Sequence, residues 1–248
     1  MIDDFIVPLI TLDIVFLVDT SASMAGRKID ELNNFMAEAV KIVEKTAAEM
    51  EIRILIRVIE FNSEAKWLFG DANNGVEHIE WHPLRAGACG DTNTSAAINL
   101  ARDIMHRRIL GERSLPPVVV LVSDGLGTDA QKTMEAIERL KCSLGRPVAL
   151  EEDAVRRIAI CVGGANEDEL IEFSSVEIKP ASTKGGNVEA DDLLYYNPLI
   201  LRADEFELFG GLLKSYSAYP KVVPVWQEEN GEPVMTVIGV YDDEDWEE

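Results

Sequence analysis

The order of apolar segments predicts an α/β fold: an open three-layer sandwich with a central, mostly parallel sheet and one antiparallel edge strand. Three observations carry that expectation. Strand-like apolar runs alternate along the chain with stretches of three-to-four periodicity, the pattern of successive βαβ units. Two of the runs, Ile14 to Val18 and Val118 to Val122, stop abruptly at polar groups, Asp19 in one case and Ser123-Asp124 in the other. The chain has 248 residues, 47% of them hydrophobic, enough to bury a sheet between two layers of helices.

Each element has its own signal. Leu12 to Val18 reads as a buried strand emptying into the loop Asp19-Thr20-Ser21-Ala22-Ser23. From about Arg27, the residues Ile29, Leu32, Phe35, Met36, Ala39, Val40, Val43 and Ala47 recur at helical spacing. Residues 51–61 return to strand, with Ile52, Ile54, Ile56 and Val58 in alternation. Asn62 and Ser63 then turn the chain into a short run, Glu64 to Phe69, which predicts a hairpin and hence the antiparallel edge. Residues 71–93 read as loop and end in Gly90-Asp91-Thr92.

Ser95 to Ile109 predicts a helix with Ala96, Ala97, Leu100, Ile104 and Met105 on one face. A turn over Gly111 to Pro117 leads into the strand Val118 to Val122. Asp129 to Leu140 is the next helix, capped by Thr128 or Asp129, and Gly145 and Pro147 end it. Val155 to Val162 reads as a strand closing on Gly163-Gly164, and Glu167 to Phe173 as a short helix. Residues 174–198 carry no period. Pro198 to Ala203 is a last short strand of the sheet and Glu205 to Tyr216 a last helix. The expected division is a main domain over 1–218 and an extension over 219–248. In the extension two apolar runs flank Asn230-Gly231, a hairpin signal, and an acidic tail follows.

Composition narrows the function classes. The formal charge is -22, from 45 acids against 23 bases. Nucleic acid and anionic membrane surfaces demand basic patches, so neither is expected as the main partner. Cys89, Cys142 and Cys161 show no short paired spacing, which suggests reduced thiols and a cytoplasmic setting. The first ten residues lack a basic n-region and a small-residue cleavage site, and no 18 apolar residues run together.

In open parallel sheets, ligands sit beyond the carboxyl ends of the strands. Asp19, Ser21 and Ser23 lie there after the first strand, Asp124 after a later one, and the Gly163-Gly164 turn after the next. The loop before Ser95 enters a helix from the same side, so Thr92 or Thr94 is within reach of the same point. Any one of these hydroxyls alone is more often a cap or turn, and Asp19 alone is as often one. Together they form an all-oxygen set with two carboxylates, which suits Mg2+ or Mn2+ and suits zinc poorly. Two acids neutralise one divalent ion, and a six-coordinate ion would still need water or an outside oxygen.

Those residues resemble the von Willebrand factor type A domain family. Asp19-Thr20-Ser21-Ala22-Ser23 fits its D-x-S-x-S motif, Gly90-Asp91-Thr92 its threonine loop, and Ser123-Asp124-Gly125 its second aspartate. The resemblance spans residues 11 to about 217. It implies a sheet sandwiched between helices, with a metal-ion-dependent adhesion site at Asp19, Ser21, Ser23, Thr92 and Asp124 that holds Mg2+ or Mn2+. It further implies a partner protein supplying an Asp or Glu to the ion. The opening strand, the Ser123 to Asp129 loop and the Val162 to Leu170 segment resemble an intracellular bacterial branch related to the tellurite-resistance protein TerY. That branch is associated with protein kinase and phosphatase partners. The 174–197 stretch, the C-terminal extension and the lack of a cysteine-rich extension depart from it.

Two other functions compete. A metal-dependent phosphoester hydrolase would use the carboxylates catalytically, but an acid pair after the first strand is usually D-x-D, and Ser21 stands at the second position. His78, His82 and His106 read as surface or partly packed residues, Cys161 as a core residue and Cys89 as a loop thiol. Neither G-x-G-x-x-G nor G-x-x-x-x-G-K-[ST] occurs. A self-capped structural or regulatory subunit would instead place a carboxylate of its own 174–197 loop or tail over the ion.

Overall fold

A computed structural model describes residues 10–88, 92–105, 114–141, 155–180, 194–217, 221–229 and 232–240. The expected order of elements is present. Strand β1 (Thr11–Asp19) leads through a 3-10 turn (Ala22–Met24) into helix α1 (Arg27–Glu49). Strands β2 (Arg53–Phe61) and β3 (Ala65–Phe69) form the hairpin, and helix α2 (Thr94–Asp103) follows the long loop. Then come β4 (Val118–Ser123), α3 (Ala130–Lys141), β5 (Arg156–Cys161) and α4 (Glu167–Phe173). Strands β6 (Val176–Pro180), β7 (Leu194–Pro198) and β8 (Ile200–Arg202) precede α5 (Phe206–Ser217), and β9 (Lys221–Glu229) and β10 (Glu232–Val240) come last.

The main sheet has six strands in the order β3-β2-β1-β4-β5-β8. All neighbours are parallel except β2 and β3, so the antiparallel strand sits at the edge as expected. The first strand is central because every residue from Leu12 to Asp19 is buried. Its alternate side chains feed two cores. Leu12, Ile14, Phe16 and Val18 pack with α1 and α5, where Phe209 lies 6.3 Å from Phe16 and 5.4 Å from Phe35 between ring centroids. Val15 and Leu17 pack on the opposite face with α2, α3 and α4. That is the three-layer sandwich.

Some expectations need correction. The second helix ends at Asp103 rather than Ile109. Ile104 and Met105 are buried, which prolongs the apolar period, but their N–H groups bond three residues back, to Ala101 and Arg102, and close the helix. Residues 174–198 are not wholly irregular: β6 and β7 pair antiparallel, Val176 opposite Pro198 and Pro180 opposite Leu194. Each of the two strands ends in a proline, Pro180 and Pro198, which reads as a breaker and argues against a strand at that point. The cap of α3 is Asp129, whose carboxylate accepts the Lys132 N–H at 3.0 Å. In the C-terminal extension β9 and β10 pair antiparallel, while Asn230, Gly231 and residues 241–248 lie outside the described residues, as do Cys89, Cys142, His106 and residues 181–193. No helix among the described residues is long and apolar enough to cross a membrane.

Candidate functional site

The winding of the sheet reverses between β1 and β4, since the chain moves outward to β2 and β3 on one side and to β5 and β8 on the other. Loops leaving the carboxyl ends of β1 and β4 therefore diverge over opposite faces and leave a crevice between them. Asp19 is the last residue of β1, and Asp124 follows directly on β4.

Hydrogen bonds draw these two strand ends together. Asp19 is fully buried, and both its oxygens are engaged by the protein. Oδ1 accepts the Ser21 N–H at 2.8 Å, and Oδ2 accepts the Ser123 hydroxyl at 2.6 Å. Burial pushes the Asp19 carboxyl above the usual carboxylate range, the Ser123 and Ser21 hydrogen bonds pull it back, and the Asp124 charge adds to the rise. From Asp19 the network continues outward. Ser21 Oγ lies 2.9 Å from Ser23 Oγ, and the Ser23 hydroxyl donates to Asp124 Oδ1 at 3.1 Å. Thr20 is held elsewhere: its hydroxyl faces Glu60 and the Phe61 carbonyl on β2.

Thr92 reaches this region through its backbone. Its carbonyl accepts the Thr128 N–H at 3.3 Å, which ties the start of α2 to the loop that carries Asp124. Thr94 is fully buried, and its hydroxyl has no hydrogen-bond partner among the described residues. The N-cap of α2 is Asn93, which accepts the Ala96 N–H at 3.1 Å and the Ser95 hydroxyl at 2.9 Å. The structure thus links Asp19, Ser21, Ser23 and Asp124 in one hydrogen-bonded chain and seats Thr92 against the same loop. Gly90 and Asp91 are outside the described residues.

One member of the cluster was not legible in the sequence. Lys28, in the first turn of α1, donates from Nζ to Asp124 Oδ2 at 2.6 Å. A lysine opening an amphipathic helix reads as a solvated face, and no motif marks it. The Gly163-Gly164 turn also belongs to the neighbourhood: Gly163 N–H donates to Glu31 Oε2 at 2.8 Å, and the stem of Lys28 packs on Gly163. The exposed His78 is 3.3 Å from Glu44, far along the chain from the strand ends. Cys161 is buried, and burial, with the charges of Glu167 and Glu205, pushes its thiol up to about 11. Such a thiol stays protonated and unreactive at neutral pH.

Among the described residues, no three His, Cys, Asp or Glu side chains gather where they could hold a metal ion. The hydrogen-bonded cluster holds two acids, the buried Asp19 and the partly buried Asp124, joined through the hydroxyls of Ser21, Ser23 and Ser123. As a donor set this is chemically matched to a hard cation. It is also partly satisfied from within, since an ammonium already balances the charge of Asp124.

Residues 14–127 match the family model of the von Willebrand factor type A domain. The chain is 24% identical over 183 residues to von Willebrand factor A domain-containing protein 1 of Bos taurus, covering 73% of this chain and 40% of that protein. It is also 24% identical over 203 residues to the Rattus norvegicus protein of the same name, covering 81% and 43%. The chain therefore spans well under half the length of these curated relatives. Among solved structures it resembles manganese-loaded TRAP protein of Plasmodium vivax, with a TM-score of 0.55, 16% identity, and coverage of 92% of this chain and 76% of that one. A second likeness is proximal thread matrix protein 1 from the mussel byssus, with a TM-score of 0.51, 16% identity, and coverage of 85% and 48%. At such identities the structural likenesses speak for the fold alone. They agree with the three-layer sandwich, and the two curated relatives come from Bos taurus and Rattus norvegicus, not from the narrower bacterial branch. Motif, fold and family match agree: over residues 14–127 the chain is similar to the von Willebrand factor type A domain, as it is to the two relatives that carry that name.

Proposed function

We propose that the chain is a non-catalytic protein-interaction module, structural or regulatory in role, that binds its partner at the crevice between β1 and β4. The observation that carries this reading is the hydrogen-bonded chain Ser21–Ser23–Asp124, closed in this state by the chain's own Lys28. Self-capping is here a matter of an internal ammonium; the carboxylates of the 174–197 loop and the tail lie outside the described residues or their side chains do.

The finer reading is that the open form of the crevice holds Mg2+, or Mn2+ in its place. Ser21, Ser23 and Thr92 would supply hydroxyls, Asp124 a carboxylate, and Asp19 would act through the groups it orients, because both its oxygens are already bonded. Bound there, the ion would supply an electrophilic position for an Asp or Glu side chain of a partner protein, a charge-assisted contact with the selectivity set by the surrounding loops. A protein kinase or phosphatase is the partner class that the resemblance to the bacterial branch favours. Hydrolysis is less favoured: the two acids are a buried, doubly bonded Asp19 and an ion-paired Asp124. Neither is poised as a free base.

The test is capture from a cell extract on immobilised chain, with Mg2+ or with EDTA, read by mass spectrometry. A partner retained in Mg2+ and lost both in EDTA and on Ser23→Ala supports the ion-dependent reading. Retention that ignores both changes leaves a protein-binding module without an ion, and turnover of phosphoesters abolished by Asp124→Ala would replace the proposal with the hydrolase.

A further inference from the structure

We propose that Lys28 is a built-in competitor for the cation, a latch that must leave Asp124 before a divalent ion can bind. The inference rests on the reading that the crevice holds such an ion, and it names how that binding is regulated. The geometry begins with Asp124, whose two oxygens are divided between Ser23 and Lys28: Oδ1 takes the Ser23 hydroxyl at 3.1 Å and Oδ2 the Lys28 ammonium at 2.6 Å. The carboxylate that would face the ion is thereby neutralised.

The pair is seated rather than casual. Lys28 is one-third exposed and Asp124 only 12% exposed, unlike the surface pairs along α1 such as Lys41–Glu38 and Lys45–Glu49. The stem of Lys28 lies against Gly163, where a Cβ would come within 2.6 Å of Lys28 Cγ. Gly163 has φ +53, a conformation that favours glycine, so one residue provides both the turn and the groove for the stem. Three residues on from Lys28, Glu31 accepts the Gly163 N–H at 2.8 Å and anchors that turn to α1. Helix, glycine turn and strand end thus hold the ammonium over the carboxylate.

Two cations cannot share one carboxylate at contact distance without repelling each other. Ion entry and Lys28 departure are therefore coupled, and the ion concentration needed to open the site rises. The displaced ammonium remains at the rim, on a flexible stem, where it can pair with the acidic side chain of an arriving protein. A partner carboxylate would then favour the open state twice, through the ion and through the lysine.

Mn2+ binding to the full chain tests this, measured by the loss of the free-ion electron paramagnetic resonance signal and by calorimetry. Lys28→Gln is expected to bind Mn2+ about tenfold more tightly than wild type, the equivalent of losing one partly exposed charge-assisted pair. Lys28→Arg, which keeps the charge, should stay near wild type. Gly163→Ala keeps the lysine but pushes its stem aside, so its affinity should move the same way as that of Lys28→Gln, even if one of the two folds poorly. Equal or weaker binding by Lys28→Gln overturns the latch while leaving the ion site standing. If no protein of the set takes up Mn2+ at millimolar concentration, the latch and the ion reading fall together.

Discussion

Arg57 and Asp13 face each other across β2 and β1, both almost fully buried, with Arg57 Nη1 hydrogen-bonded to Asp13 Oδ1. Arg57 Nε also donates to the Asp71 carbonyl at 2.9 Å, so the same guanidinium fastens the loop after β3 to the sheet. Removing one partner leaves a charge buried without its counterion, and Arg57→Met is expected to cost about 3–5 kcal/mol in urea denaturation. Adding Asp13→Leu to it should restore most of the loss. A second residue-scale consequence concerns Cys161, whose thiol is raised from the ordinary 9.0 to about 11 chiefly by burial. Because the folded value is the higher, the unfolded chain loses this proton first as pH rises. The stability that this shift contributes is complete below pH 9 and disappears as pH climbs towards 11. Relative to Cys161→Ala, wild type should lose about 2–3 kcal/mol over that window, read as denaturation midpoints at pH 8, 9, 10 and 11. The burial of Cys161 was legible in the sequence, where it reads as a core residue, but the Asp13–Arg57 pair was not. Asp13 and Arg57 look like solvent-facing positions within apolar strands, and only the register that sets Asp13 beside Leu55 brings the arginine within reach.

At the scale of elements, the meeting of the β4–α3 loop with the start of α2 decides where Thr92 sits. Gly127 has φ +89, and a Cβ there would come within 2.4 Å of the Thr92 carbonyl and 3.0 Å of Thr94 Oγ1. The first contact is with backbone and cannot be relieved by a side-chain rotation. Gly127→Ala is therefore expected to destabilise by about 2–3 kcal/mol, combining left-handed strain with a forced loop shift. Gly211→Ala in α5 meets nothing within 4 Å and should instead stabilise by about 0.5–1 kcal/mol. Parallel thermal and chemical unfolding of the two variants checks the contrast. The strands and helices themselves were largely readable, because strands buried on both faces produce uninterrupted apolar runs such as Val118 to Val122. What escaped was local closure: the i-to-i−3 bonds that end α2, and the pairing of β6 with β7.

Across the whole molecule, a central strand order with its reversal between β1 and β4 explains how residues about a hundred positions apart share one crevice. The motif residues Asp19, Ser21, Ser23 and Asp124 were legible because their chemistry and their position at strand ends agree. Lys28 was not, since its role depends on where α1 begins relative to the Gly163 turn. The charge of -22 favours uptake of cations generally, so the decisive evidence must be site-specific. The most direct measurement is calorimetric titration of Mg2+ or Mn2+ into the wild-type chain and into Ser23→Ala and Asp124→Asn. One saturable site is expected in wild type, weakened at least tenfold by Ser23→Ala and absent in Asp124→Asn, with the fold retained by circular dichroism. No saturable site in wild type, or one left unchanged by both substitutions, would contradict it.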